Sequence, residues 1–497
     1  TLRQMGPTKP RPAANLKHAA RTLRQMGPQT KLAALAAAAA AAATLATPAQ
    51  ALELGWYTTR HDVAQHARID LDVKDISSLV GEERWDNATE IYQEGKYSSK
   101  TTSLRNLQSF SLDIKSKAES IQTDKSNEQI LAEFYLFEGY WGADDYANTF
   151  VLDALQDMGQ FDGLDAAARS QLAKKGVQYQ VVNMYMLYEL AKGLFLCFEG
   201  ADDDGTLNWD EGAAFFIGSL LEGKPDLTQG QSGQLQYTLA SKRASSFGTT
   251  DESRNGPAAN ANAAAIDAFT KGLQALSDGN CEEASGQYKI IRKQMQIALV
   301  QGMLQYSHKS QGDDSAALAE GWAFTAAIMP FLHEADAANA RIIRDNMEIN
   351  STQFRHGDRD AVFKSAFAIL PNLCISCAEL GVNAFIEAND IENLECTVDQ
   401  DALNAGCDAY LKPAEKAKKD VPVGTIVGLV IAGLVVLGII FAGMHCINKK
   451  ADDKPSPNVE SGNTSGVPPS TGAATGTAGQ DGTAQPAKVE QSSLNQV

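Results

Sequence analysis

The densest run of oxygen donors in the chain is Gly200-Ala201-Asp202-Asp203-Asp204-Gly205-Thr206-Leu207-Asn208-Trp209-Asp210-Glu211. Carboxylate and amide oxygens at this spacing fit a calcium loop, with Asp202, Asp204 and Asn208 as ligands, Gly205 at the sharp turn and Glu211 as the closing carboxylate. Gly200 leaves the opening position without a ligand. A competing reading makes the same acids a solvated turn capping a helix that opens at Asp210, where carboxylates suit the positive end of the helix dipole.

A trivalent hard cation such as ferric iron asks for carboxylate, phenolate and imidazole rather than thiolate. Asp210 and Glu211 open one candidate helix, and Glu222 lies eleven residues beyond Glu211, close to three turns, so the two glutamates share a face if the helix persists. Glu320 opens a matching helix in the second half, and Pro330 would redirect that helix so that His333 and Asp336 point a new way. Tyr185, Tyr188 and Glu189 share a further helix face. Taken singly, each is the kind of side chain that usually faces solvent; their recurrence in both halves is what singles them out. No nucleophile elbow, phosphate loop or paired zinc histidines occur, so a binding role is expected rather than an enzyme.

Six cysteines, Cys197, Cys281, Cys374, Cys377, Cys396 and Cys407, precede the apolar C-terminal segment, and their even number in an exported chain reads as structural disulfides of open connectivity. Cys446 stands apart as a palmitoylation candidate. Asn87-Ala88-Thr89 and Asn350-Ser351-Thr352 are glycosylation sequons.

The elements that must position these groups are mostly helical. Windows of helical periodicity cover 177–198, 212–221, 264–276, 282–308, 316–332, 336–347 and 360–385, while strand-like alternation is scarce, so the expected fold is all-α. Trp209-Asp210-Glu211-Gly212-Ala213-Ala214-Phe215 aligns with Leu318-Ala319-Glu320-Gly321-Trp322-Ala323-Phe324, which suggests two similar helical lobes, 52–255 and 256–410. Before them, residues 1–51 hold a duplicated TLRQMGP string without fold information, then a signal peptide with a Leu/Ala core at 32–45 and a small-x-small site at Ala49-Gln50-Ala51. After a linker at 411–422, the segment 423–446 reads as one transmembrane helix, in which Gly424, Gly428 and Ala432 form a stripe that would suit a homodimer. Residues 447–497 read as a disordered cytosolic tail. The cleaved signal makes this a type I plasma-membrane protein with its ectodomain extracellular or periplasmic. Of 497 residues, 61 are acidic and 43 basic, for a net charge of −18; such a surface repels nucleic acid and attracts cations.

Four stretches carry a family likeness: Ile91-Tyr92-Gln93-Glu94-Gly95-Lys96-Tyr97-Ser98, Arg105-Asn106-Leu107-Gln108-Ser109-Phe110-Ser111, Trp209 through Ser219, and Leu235 through Arg243. They resemble the low-iron-inducible periplasmic proteins of algae and the phytotransferrins over most of residues 75–400. The resemblance implies a cell-surface protein that captures ferric iron together with carbonate and is internalised, passing through endosomes. It also implies a role for Tyr237, Lys242 and Arg243, since a carbonate sharing the metal needs cationic donors. Cysteines expected near Ala244 and Thr249 are missing, which puts a disulfide there in doubt. The alternative is an adhesion or signalling ectodomain whose acidic loop binds calcium structurally.

Overall fold

Side-chain caps at the N-termini of several helices and long apolar faces between helices shape the described part of the chain. The computed structural model describes residues 51–121, 130–221, 233–251, 259–312, 314–350, 352–353 and 355–411. The chain divides between Glu415 and Lys416, and all described residues belong to the first unit. Glu222, the leader before residue 51, and everything after residue 411, including the expected membrane helix with Gly424, Gly428, Ala432 and Cys446, lie outside the described residues.

In chain order the helices among the described residues begin with α1 Ala64–Ala67, α2 Ile69–Gly81, α3 Trp85–Glu94, α4 Leu107–Leu112, α5 Ile114–Glu119, α6 Ala132–Trp141 and α7 Tyr146–Gln156. Next come α8 Ala166–Lys175, α9 Asn183–Phe198, α10 Asp202–Ile217, α11 Gln236–Phe247, α12 Asn260–Ser277, α13 Cys281–Lys309 and α14 Ser315–Ala335. The series ends with α15 Ala337–Met347, α16 Arg359–Ile369, α17 Cys377–Leu380, α18 Val382–Ala388 and α19 Gln400–Leu411. The only strands among the described residues are β1 Glu53–Leu54 and β2 Tyr57–Thr58, an antiparallel pair with Glu53 opposite Thr58. The all-α expectation is met.

Caps set the helix starts. Asp314 accepts from the backbone of Ala316 and Ala317 at the head of α14, Asp336 does the same for Ala338 and Asn339 at α15, and Ser376 with Glu379 forms a capping box on α17. From Gly321 to Leu332, α14 is buried on all sides, so it runs through the core rather than along the surface. One contiguous core draws on residues from Leu54 to Cys396, and α9 packs on α10, α12 on α13, and α13 on α14. By length and composition, Ala166–Phe198 and Ser315–Ala335 are apolar enough to cross a membrane, yet both are 83% buried within this core, which accounts for their composition.

One expected helix is broken. The window 360–385 splits into α16, a 3-10 turn at Leu370–Leu373, α17 and α18, because Pro371 has no N–H to continue α16 and Gly381 takes φ +69° to end α17.

The acidic run is not a loop either. Helix α10 begins at Asp202 and continues through Glu211, so the chain that a calcium loop would need wrapped around an ion is a straight rod. Its glycine serves another purpose. A Cβ built on Gly205 would meet the Gly193 carbonyl oxygen at 2.8 Å, and one on Gly193 would meet the Gly205 carbonyl at 2.8 Å, so these two positions let α9 and α10 cross backbone to backbone.

All six cysteines form bonds. Cys197–Cys281 ties the end of α9 to the start of α13, while Cys374–Cys407 and Cys377–Cys396 fasten α19 and the segment before it to the core. Asn87 is exposed on α3; Asn350 is half-buried, its side-chain oxygen accepting from the backbone of Thr352 and Gln353.

A candidate metal centre between α9 and α10

The close crossing of α9 and α10 brings acids on the two helices face to face. Glu211 on α10 has Oε1 3.1 Å from Nε2 of His66 on α1 and Oε2 3.4 Å from Nδ2 of Asn208. That same amide donates to Glu189 Oε2 on α9 at 2.8 Å, so Asn208 bridges the buried Glu189 and the half-buried Glu211. Tyr185, one turn before Glu189, also donates to Glu189, and Tyr188 lies beside it with ring centroids 5.3 Å apart. Phe110 of α4 stacks on Tyr185 at 3.9 Å and fixes its plane.

Cations ring this group. The Arg105 guanidinium touches His66 Nε2 and acts on Glu211, Tyr185 and Glu189; Lys117 Nζ sits 4.7 Å over the Tyr185 ring; Lys192 Nζ is 3.7 Å from Glu189. His66 Nε2 therefore faces an acceptor-only carboxylate and a donor-only guanidinium at once, while its Nδ1 is buried without a partner.

The two carboxylates differ in proton affinity. Burial, then the charge of Glu211, pushes Glu189 up from the usual 4.5 to about 7. Burial also acts to raise Glu211, but the His66 hydrogen bond and the positive charges of His66, Lys192 and Arg105 outweigh it, and its affinity falls below the usual carboxylate range. Burial holds Tyr185 and Tyr188 firmly protonated, and lowers Lys117 to about 8. Among the described residues no three His, Cys, Asp or Glu side chains stand as a finished metal cage. His66 engages Oε1 of Glu211 while Asn208, the partner of Glu189, engages Oε2, so an ion bound by Glu211 would displace contacts already made.

The other expected ligands fall elsewhere. Asp210, next to Glu211 on α10, faces the N-terminal segment: it accepts from Tyr57 Oη at 2.6 Å and from the backbone of Arg60 and His61, both at 2.8 Å. With those bonds made, Asp210 is a structural anchor. Among the acids of the acidic run, Asp203 lies 3.3 Å from Arg60 at the surface, Asp204 is exposed, and Asn208 and Glu211 belong to the cluster above.

Glu320 on α14 lies in a second cluster, 3.0 Å from Lys175 Nζ and bonded by Tyr306 of α13. Each acid thus faces a tyrosine on the preceding helix of a packed pair, α9/α10 and α13/α14. Lys175 is what distinguishes the second. His333 is exposed with its ring 5.2 Å from Tyr140, and Asp336 is spent on capping α15, so neither joins Glu320. Tyr237 is buried with its ring edge-on to Phe216, 6.5 Å away, on a different side of α11 from Lys242 and Arg243, which face the Lys175 cluster.

Between α8 and α9 the chain makes a π-helical segment, Gly176–Val182. Its wider turn slows the rotation of side chains along the rod, and such segments recur at functional sites. Here one rod serves both clusters: Lys175 and Tyr179 face Glu320, and Tyr185 and Glu189 face Glu211.

Sequence reasoning missed His66, Arg105 and Lys117. His66 sits in a four-residue helix without periodicity. Arg105 opens one of the four family-like stretches, so the signal was present without a role attached.

Carboxylates, phenols and an imidazole thus interleave with cations on an all-α, disulfide-bonded frame. The chain belongs to the low iron-inducible periplasmic protein family, whose profile matches residues 30–409. Its role is therefore iron-related. No curated protein and no solved structure matches the chain significantly.

Proposed function

We propose that the chain binds ferric iron together with carbonate at the α9/α10 crossing, as a carrier for uptake and not as an enzyme. One observation carries this reading: Glu189, Glu211, Tyr185, Tyr188 and His66 converge in a buried setting, the oxygen and imidazole set that a hard trivalent ion favours. Arg105 and Lys117, rather than Lys242 and Arg243, supply the cationic donors for a carbonate sharing the metal, since they adjoin Tyr185 and the two glutamates. In this reading the two helical halves are related units, and only the first keeps a metal-competent acid.

Loading must expel protons, because Tyr185 and Tyr188 hold theirs in the empty protein at neutrality and Glu189 takes one up as pH falls through about 7. Affinity therefore falls as pH falls, and an acidic compartment after internalisation releases the ion. The signal peptide and the apolar segment 423–446 fit a type I surface protein with this site outside the cell.

Ferric binding by the purified protein, measured at about pH 8 and about pH 5 with and without bicarbonate, tests the proposal. Tight binding is expected only at the higher pH with bicarbonate, and Glu211→Gln abolishes it. Equal binding in all four conditions refutes it, as does a calcium signal abolished by Glu211→Gln without any ferric signal.

A further inference from the structure

Where α2, α8 and α11 meet, a cavity of about 360 Å³ is lined by Lys74, Lys174, Lys175, Lys242 and Arg243, with Thr238 beneath them. Five cations around one cavity run against the composition of a chain with 61 acidic and 43 basic residues. Among the described residues the acid in this cluster is Glu320, already paired with Lys175 at 3.0 Å, so it leaves the remaining positive charge on the cavity uncompensated. Like charges held this close oppose one another: burial and then the charge of Lys175 push the Lys174 ammonium down.

Two further groups point to a ligand. Among the described residues the Thr238 hydroxyl, buried at 3% exposed, has no hydrogen-bond partner, and the buried Nε–H of Arg243 has none either, although its Nη1 donates to Gln305. Buried donors are ordinarily satisfied, and an unmet one costs about 1–3 kcal/mol. Both residues line the cavity. A low-dielectric cleft walled by one sign of charge concentrates counter-ions within it.

We propose that this cavity is an anion site, separate from the α9/α10 centre, that takes a compact oxyanion carrying at least two negative charges, of the phosphate or polycarboxylate kind. Guanidinium, ammonium and hydroxyl donors from three helices surround such a ligand. Comparison of the two clusters gives the physical logic. At the first, two carboxylates, Glu211 and Glu189, meet across Asn208; at the second, the acid Glu320 is already paired with Lys175 and the other cations line the cavity.

The test is calorimetric titration of the purified, iron-free, full-length chain with inorganic phosphate, citrate and bicarbonate in separate runs at about 0.1 M and about 1 M salt. Saturable heat with phosphate or citrate, weaker at high salt, is expected; which of the two binds more tightly tells phosphate from polycarboxylate. Lys242→Glu and Lys74→Glu, both at exposed positions, are each expected to weaken binding about tenfold while leaving the circular dichroism melt unchanged. Heat with bicarbonate alone, no heat with any of the three, or unaltered affinity in both variants overturns the proposal.

Discussion

Replacing Glu189 by glutamine isolates the charge at the α9/α10 crossing, because Gln matches the shape and keeps one oxygen to accept from Asn208 while removing the charge, and any constant hydrogen-bond loss is the same at every pH. In the folded chain Glu189 titrates at about 7 against an ordinary 4.5. Between those values the native state holds a proton that the unfolded chain has lost, so wild-type stability falls as pH rises through this window and levels off above it. At about 1.4 kcal/mol per unit, the buried charge costs the empty protein on the order of 3 kcal/mol at pH 8 and little at pH 4.5. Glu211 does not blur the window, since its lowered affinity acts below the ordinary carboxylate value, where its contribution is lost on acidification. Urea unfolding of iron-free wild type and Glu189→Gln at both pH values should therefore show the variant gaining about 3 kcal/mol relative to wild type between pH 4.5 and 8. A difference between the two proteins that stays flat across pH would mean that the Glu189 carboxylate is not held in a desolvated site, and the proton-linked release argument would go with it.

Three further outcomes follow from the packing. Asp210→Asn puts an amide N–H₂ among donors that now converge on a carboxylate, so thermal unfolding should report a loss of about 2–3 kcal/mol, while ferric affinity at the neighbouring Glu211 is retained. Opening the Cys197–Cys281 bond by a double serine substitution releases a loop of 84 residues, and should cost about 4 kcal/mol in denaturant unfolding under oxidising conditions. Gly205→Ala sets a methyl group 2.8 Å from the Gly193 carbonyl; a loss of about 1–3 kcal/mol, with weaker ferric binding because Glu189 and Glu211 are pushed apart, is the expected reading from unfolding and metal titration together.

Several things were decided by the sequence alone. Long apolar periodicity between capping residues such as Asp314 and Asp336 determined an all-α fold, since helix starts and buried faces are local properties. The even number of cysteines before the apolar C-terminal segment pointed to bridges, and the family-like stretches placed Glu211 and Arg105 among residues worth attention. What sequence could not decide was direction. Asp210 and Glu211 are adjacent, yet one turns to Tyr57 and the other to His66, because neighbours on a helix point about 100° apart and only packing says which side is core. The acidic run from Asp202 looked like a calcium loop, since spacing alone does not reveal that Gly205 meets Gly193 across a helix crossing. Lys242 and Arg243, adjacent on α11, line a cationic cavity together with Lys175, whose partner is Glu320, and no spacing in the sequence announces that grouping. Contacts between residues more than a hundred positions apart, such as His66 with Glu211, exist only once the chain has closed on itself, and the chemistry of both clusters lives in those contacts.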